Sequence, residues 1–250
     1  TGTMYADTLI GNSAANTLNG GNGDDLLEGL GGGDAFIGDL GNDTVSYAHS
    51  SASVVASLTT SFGAGPAVVQ TNDAYGDTFS GIENLQGSAY GDTLIGDGGS
   101  NRIAGGTGDD VLEGMGGADV LEGGFGIDTA SYEHATSSVV VSLTAALPGF
   151  VAQGDAAGDT FIGVENLAGS SSDDMLIGDA GSNVIFGGDG DDVLEGLASG
   201  DILDGGAGNN TASYEHAGTA GVGLGVTVSL ASPAGNTNAR KDSSSGSPGR

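Results

Sequence analysis

Apolar residues recur along this chain once every nine positions between small and polar neighbours, and the phase holds through three separate stretches. They are Leu9, Leu18, Leu27, Phe36 and Val45; then Leu94, Ile103, Leu112, Leu121 and Ala130; then Leu176, Ile185, Leu194, Leu203 and Ala212. The pattern predicts short strands whose middle side chain enters a core, since alternate side chains of a strand face opposite sides. Between them lie glycine-rich segments, which predict tight turns. A turn followed by a strand reverses the chain, so two units make one coil of eighteen residues.

Two further rows share this phase. Glycine opens each unit at Gly2, Gly11, Gly20, Gly29 and Gly38, at Gly87, Gly96, Gly105, Gly114 and Gly123, and at Gly169, Gly178, Gly187, Gly196 and Gly205. The sixth position is always Asp or Asn: Asp7, Asn16, Asp25, Asp34 and Asp43; Asp92, Asn101, Asp110, Asp119 and Asp128; Asp174, Asn183, Asp192, Asp201 and Asn210. Glycines at positions one, two and four permit left-handed backbone angles, so six residues can curl into a tight turn with inward carbonyls. The aspartate adds a hard anionic oxygen.

The clearest copies, GGNGDDLLE (20–28), GGTGDDVLE (105–113) and GGDGDDVLE (187–195), match G-G-x-G-x-D-x-U-x. With fifteen copies in phase, the chain resembles the RTX, or haemolysin-type calcium-binding, repeat family over most of residues 2–213. The resemblance implies an all-β fold, a parallel β-roll or β-solenoid of nonapeptides with β-rich spacers, in which Ca²⁺ ions lie between loops stacked eighteen residues apart. The ions would be bracketed by Asp7/Asp25, Asp25/Asp43 and Asn16/Asp34 in the first block. In the second the pairs are Asp92/Asp110, Asp110/Asp128 and Asn101/Asp119; in the third, Asp174/Asp192, Asp192/Asn210 and Asn183/Asp201. Turn carbonyls complete the implied ligand set, from Gly20, Gly21, Gly23, Gly29 and Gly38, from Gly105, Gly106, Gly108, Gly114 and Gly123, and from Gly187, Gly188, Gly190, Gly196 and Gly205. Calcium suits such donors because it takes roughly six to eight oxygens at relaxed geometry, whereas Mg²⁺ demands a strict octahedron.

Some copies depart from the pattern. Asn16, Asn101 and Asn183 keep an oxygen but lack the charge, so their sites should be weaker. Tyr5, Tyr90 and Ser172 stand where position four calls for glycine, so the first loop of each block should be distorted and cap-like.

Composition narrows the function. The chain carries 33 acidic residues against four Lys and Arg, a net charge of −29, which excludes a nucleic-acid partner. Its 51 glycines make folding entropically costly, and unbalanced charges repel on compaction. A cation that binds only the folded chain offsets both. Glycine- and aspartate-rich sequence can also be a disordered linker, a reading that fits the calcium-free chain but leaves the phased aliphatic row unexplained. There is no cysteine, hence no disulfide and no thiolate site, and apolar runs such as 139–141 are far too short for membrane insertion.

The organisation expected is a repeat block at 1–46, a β-rich spacer at 47–71, a degenerate repeat plus second block at 72–131, a spacer at 132–153, a degenerate repeat plus third block at 154–213, a β-rich segment at 214–232 and a disordered tail at 233–250. Within 72–80 and 154–162 the degenerate nonapeptides carry Asp77 and Asp159 at position six, two further candidate calcium ligands. A six-residue short coil follows each, carrying Glu83 or Glu165, read either as an extra ligand or as a solvated turn.

His49, His134 and His216 recur in one S-Y-x-H phrase. One copy per block points to packing, with the imidazole satisfying backbone groups where a coil ends. No H-E-x-x-H, G-x-S-x-G or P-loop motif is present, so no enzyme is expected. The resemblance implies type I secretion and an extracellular location, with calcium as the partner beside an unidentified cell-surface or matrix partner. Two functions follow: a structural or adhesive protein (surface layer, matrix or adhesin), favoured by the long period of block plus spacer, or the calcium-triggered folding and secretion module of a secreted hydrolase or toxin, favoured by Thr1 in place of an initiator methionine.

Overall fold

A computed structural model describes residues 1–59, 69–144, 147 and 150–216. Block one supplies β1 (Thr8–Ile10), β2 (Thr17–Asn22), β3 (Leu26–Glu28), β4 (Ala35–Leu40) and β5 (Thr44–Ser46), and the spacer supplies β6 (Val55–Ser57). The degenerate repeat and short coil give β7 (Thr78–Ser80) and β8 (Asn84–Gln86). Block two gives β9 (Thr93–Ile95), β10 (Arg102–Thr107), β11 (Val111–Glu113), β12 (Val120–Phe125) and β13 (Thr129–Ser131). The pattern repeats with β14 (Val140–Ser142), β15 (Thr160–Ile162), β16 (Asn166–Ala168), β17 (Met175–Ile177), β18 (Val184–Phe186), β19 (Val193–Glu195), β20 (Ile202–Asp204) and β21 (Thr211–Ala212). Each strand of a block covers positions seven to nine of a nonapeptide, or seven and eight in β21, where the apolar period places it. The described residues hold no α-helix, and no helix long and apolar enough to cross a membrane.

The strands form parallel sheets, β1-β3-β5-β8-β10-β12-β15, β2-β4-β7, β6-β9-β11-β13-β16-β18-β20 and β14-β17-β19-β21. Position-eight residues pair with one another eighteen residues apart, as Leu9 with Leu27 and Leu94 with Leu112. Their side chains fill one interior in which Leu27, Leu94, Ile103, Leu112, Leu121, Leu176 and Ile185 are all fully buried. One aliphatic side chain in nine residues is a thin core, which leaves the turns to supply much of the stabilisation.

The blocks are staggered. Block one alternates between the β1 sheet and the β2 sheet, block two between the β1 sheet and the β6 sheet, and block three between the β6 sheet and the β14 sheet. At each junction one sheet ends while the other runs through. The replacement sheet begins at the spacer strand, β6 pairing with β9 and β14 with β17, while Phe79 closes the β2 sheet opposite Phe36 and only six residues later Leu85 continues the β1 sheet opposite Val45. The rings of Phe36 and Phe79 stack at 5.7 Å, with 6° between their planes.

Within the described residues the first two spacers hold one strand each, β6 and β14, bridged to the returning chain at Val55/Thr71 and Val140/Gln153. Each degenerate nonapeptide opens on a 3-10 turn, Asn72–Ala74 or Gly154–Ala156, in place of a glycine-rich loop, and closes on the strand that its period predicts. The segment 60–68 and the end of the chain, 217–250, lie outside the described residues, and with them most of the third β-rich segment and the tail.

Candidate calcium-binding turns

Two glycines in each regular turn take angles closed to other residues. Gly21 and Gly23 have φ of 105° and 113°, and Gly106, Gly108, Gly188 and Gly190 repeat them. Position one does not share this conformation. Glycine is needed there because the position-six carboxylate folds back over it: a Cβ on Gly20, Gly105 or Gly187 would overlap the Oδ2 of Asp25, Asp110 or Asp192.

That fold-back stacks the carboxylates. Where a block holds a position-six residue eighteen further on, the backbone N–H at position six donates to its side-chain Oδ1: Asp7 to Asp25 (2.8 Å), Asp25 to Asp43 (2.8 Å) and Asn16 to Asp34 (2.7 Å). In block two the donors are Asp92 to Asp110 (2.7 Å), Asp110 to Asp128 (2.8 Å) and Asn101 to Asp119 (2.8 Å). In block three they are Asp174 to Asp192 (2.9 Å), Asp192 to Asn210 (2.8 Å) and Asn183 to Asp201 (3.1 Å). Every pair implied by the eighteen-residue period is therefore brought together.

The second oxygen divides these residues. Oδ2 of Asp25, Asp34, Asp43, Asp110, Asp119, Asp128 and Asp192 is buried without a hydrogen-bond partner. In the first copy of each block it is already satisfied, by the backbone N–H of Thr3 for Asp7 (2.5 Å), Ser88 for Asp92 (2.5 Å) and Ser170 for Asp174 (2.6 Å). The hydroxyls of Thr3, Ser88 and Ser170 donate to the same carboxylates. The hydroxyl residue at position two was the signal for these caps, and the sequence reading passed over it.

Asp77 and Asp159 are held in a similar way. Each gives Oδ1 to the ladder, accepting from the N–H of Asp34 (2.7 Å) and Asp119 (2.9 Å). Their Oδ2 accepts the hydroxyls of Tyr47 (2.9 Å) and Tyr132 (2.8 Å) from the S-Y-x-H phrase. A phenol thus stands where a cation would otherwise be needed. The asparagines follow the same logic: Asn101 and Asn183 donate Nδ2 to the carbonyls of Glu83 (2.8 Å) and Glu165 (2.7 Å), a contact a carboxylate would repel.

The open oxygens fit a hard divalent cation. Buried carboxylates without compensation are costly. The described residues offer one Lys or Arg, Arg102, and it pairs with Glu122 on the exposed face. Burial raises the pKa of Asp110 and Asp119 to about 7 and that of Asp192 to about 6, against the lowering effect of the backbone N–H each accepts, with neighbouring carboxylates adding to the rise. Glycine carbonyls border the same space: a Cβ on Gly187 would overlap Asp192 Oδ2 and lie 2.8 Å from the oxygen of Gly205. No group of three or more His, Cys, Asp or Glu side chains converges on one point among the described residues. The carboxylates share their space with backbone carbonyl oxygens, a donor set suited to calcium and not to zinc.

A family model described as the RTX calcium-binding nonapeptide repeat (4 copies) matches residues 1–36, 10–45, 77–106, 95–130, 159–194 and 177–212, together more than half of the chain. No curated protein matches the chain.

Proposed function

Because this chain belongs to the RTX calcium-binding nonapeptide repeat family, we propose that it is a non-catalytic extracellular scaffold, folded by calcium after export and serving a structural or adhesive role in a surface layer, matrix or adhesin. RTX repeat proteins are typically secreted. A calcium-poor cytoplasm keeps such a chain unfolded for export, and calcium outside the cell offsets the carboxylate repulsion that opposes its folding.

The observation that carries the scaffold reading is the stagger. Each sheet that ends at a junction is replaced while its partner runs through, so three blocks form one ladder instead of three separate modules. Repeat architectures stabilise through neighbour contacts, and further blocks can extend the same array. Fractionating the producing cells tests the proposal. The scaffold reading expects the protein on the cell surface or in the matrix, released by chelator. Recovery as part of a freely soluble hydrolase or toxin would support the folding-module reading instead.

A further inference from the structure

The short coil between blocks raises the question of what becomes of the cation row there. A regular turn spans six residues from its position-one glycine to its position-six aspartate. In the short coil only Gly81, Ile82 and Glu83 remain, and in the next one Gly163, Val164 and Glu165. Both glycines are left-handed, with φ of 60° and 59°, and Ile82 and Val164 are buried, so the two junctions have the same construction.

Register places the glutamates. Asn84 pairs with Thr44 and Asn166 with Thr129, both position-seven residues, so Glu83 and Glu165 stand at position six opposite Asp43 and Asp128. Their carboxylates take up the ladder: Asp43 N–H donates to Glu83 Oε2 (2.8 Å) and Asp128 N–H to Glu165 Oε2 (2.9 Å). The additional methylene of glutamate restores the reach lost with the deleted residues. The carbonyls of Asp43 and Asp128 accept from the N–H groups of Asn84 and Asn166 (2.9 Å each), which holds each coil in place from the other side.

The other half of the arrangement is open. Asp43 and Asp128 are fully buried, and their Oδ2 atoms have no hydrogen-bond partner. A glycine carbonyl borders each of those oxygens, since a Cβ on Gly38 would overlap both Asp43 Oδ2 and Gly81 O, and one on Gly123 both Asp128 Oδ2 and Gly163 O. The short coil thus keeps the two oxygen-bearing ends of a regular turn. Across the roll, the carboxylates of Asp77 and Asp159 are closed by tyrosine hydroxyls.

We propose that Asp43 with Glu83 and Gly81, and Asp128 with Glu165 and Gly163, form two junction sites for Ca²⁺ that carry the calcium row from one block into the next. The proposal rests on the calcium reading above and adds mixed Asp–Glu sites built on a three-residue turn. It makes each ion a tie between blocks.

Calcium alone is the probe, with stoichiometry read by equilibrium dialysis on the whole chain. Glu83→Gln keeps an oxygen that can accept the Asp43 N–H but removes the charge, and Glu165→Gln does the same at the second junction. Each substitution is expected to weaken one site at least tenfold, so that one fewer calcium binds per substitution at sub-millimolar calcium. Unchanged stoichiometry and affinity in both folded variants would overturn the proposal while leaving the calcium reading intact; absence of calcium binding by the unsubstituted chain would overturn both. Should a variant fail to fold, a calcium-grown crystal of the unsubstituted chain decides. An anomalous peak between Asp43 and Glu83 supports the site, and an empty map there refutes it.

Discussion

His134 Nδ1 lies 2.7 Å from Glu113 Oε2, and both side chains are only 4% exposed. Glu113 also accepts the backbone N–H of His134 at 2.9 Å. The same clasp joins His49 to Glu28 and His216 to Glu195, in each case tying the phrase that leaves a block to position nine of its third nonapeptide. The imidazole, expected to meet backbone groups, has a carboxylate among its partners. His134→Ala would leave Glu113 buried without its ring partner, so a loss of about 1–3 kcal/mol is expected in calcium, with calcium stoichiometry unchanged. His49 is 72% exposed, and His49→Ala should cost less than about 0.5 kcal/mol. Thermal melts in saturating calcium measure both; a lost ion in either variant would contradict the structural role.

Tyr132→Phe removes the hydroxyl from Asp159 Oδ2. Leaving that oxygen unsatisfied should lower stability by about 1–3 kcal/mol without loss of a bound calcium. A drop in stoichiometry would show that Asp159 is a ligand.

The unequal second oxygens rank the sites. Asp110 carries an open Oδ2 and lies in two stacked pairs, whereas Asn101 is satisfied by Glu83 O and Asp97 N–H. Asp110→Ala should raise the calcium midpoint for folding several-fold. Asn101→Ala should lower thermal stability with a much smaller shift of midpoint, and equal shifts in the two variants would contradict the pairing.

Acidity should partly substitute for calcium. Burial disfavours the charged form of Asp110 and Asp119 and pushes their pKa up from the ordinary 3.8 to about 7. Between those values the folded state binds more protons than the unfolded one, so stability rises as pH falls from about 7 towards about 4 and is lost as pH rises back through 7. Metal-free protein should therefore gain β-structure by circular dichroism at pH 5 relative to pH 7.5, and calcium added near pH 6.5 should release protons. A metal-free spectrum independent of pH would contradict this.

Much of this was legible in the sequence because one residue type does one job per position. The apolar residue at position eight set the strands, and the eighteen-residue return set which aspartates meet. What escaped notice depends on single oxygens. Whether a carboxylate is open or capped turns on Thr3, Ser88 and Ser170 at position two and on Tyr47 and Tyr132 about thirty residues before the carboxylates they cap, contacts that no nine-residue period reports. The stagger escaped for a related reason: each new sheet is begun by a spacer strand outside the nine-residue phase, and this shows only once Val55 and Val140 are placed opposite Thr93 and Met175.

Calcium titration of the metal-free chain at pH 7.5, followed by far-ultraviolet circular dichroism, tests the central claim most directly. With 29 net negative charges, 51 glycines and seven open buried carboxylate oxygens, the chain should be largely disordered in chelator and convert cooperatively to β-structure in millimolar calcium. An identical β-spectrum with and without calcium would contradict the account.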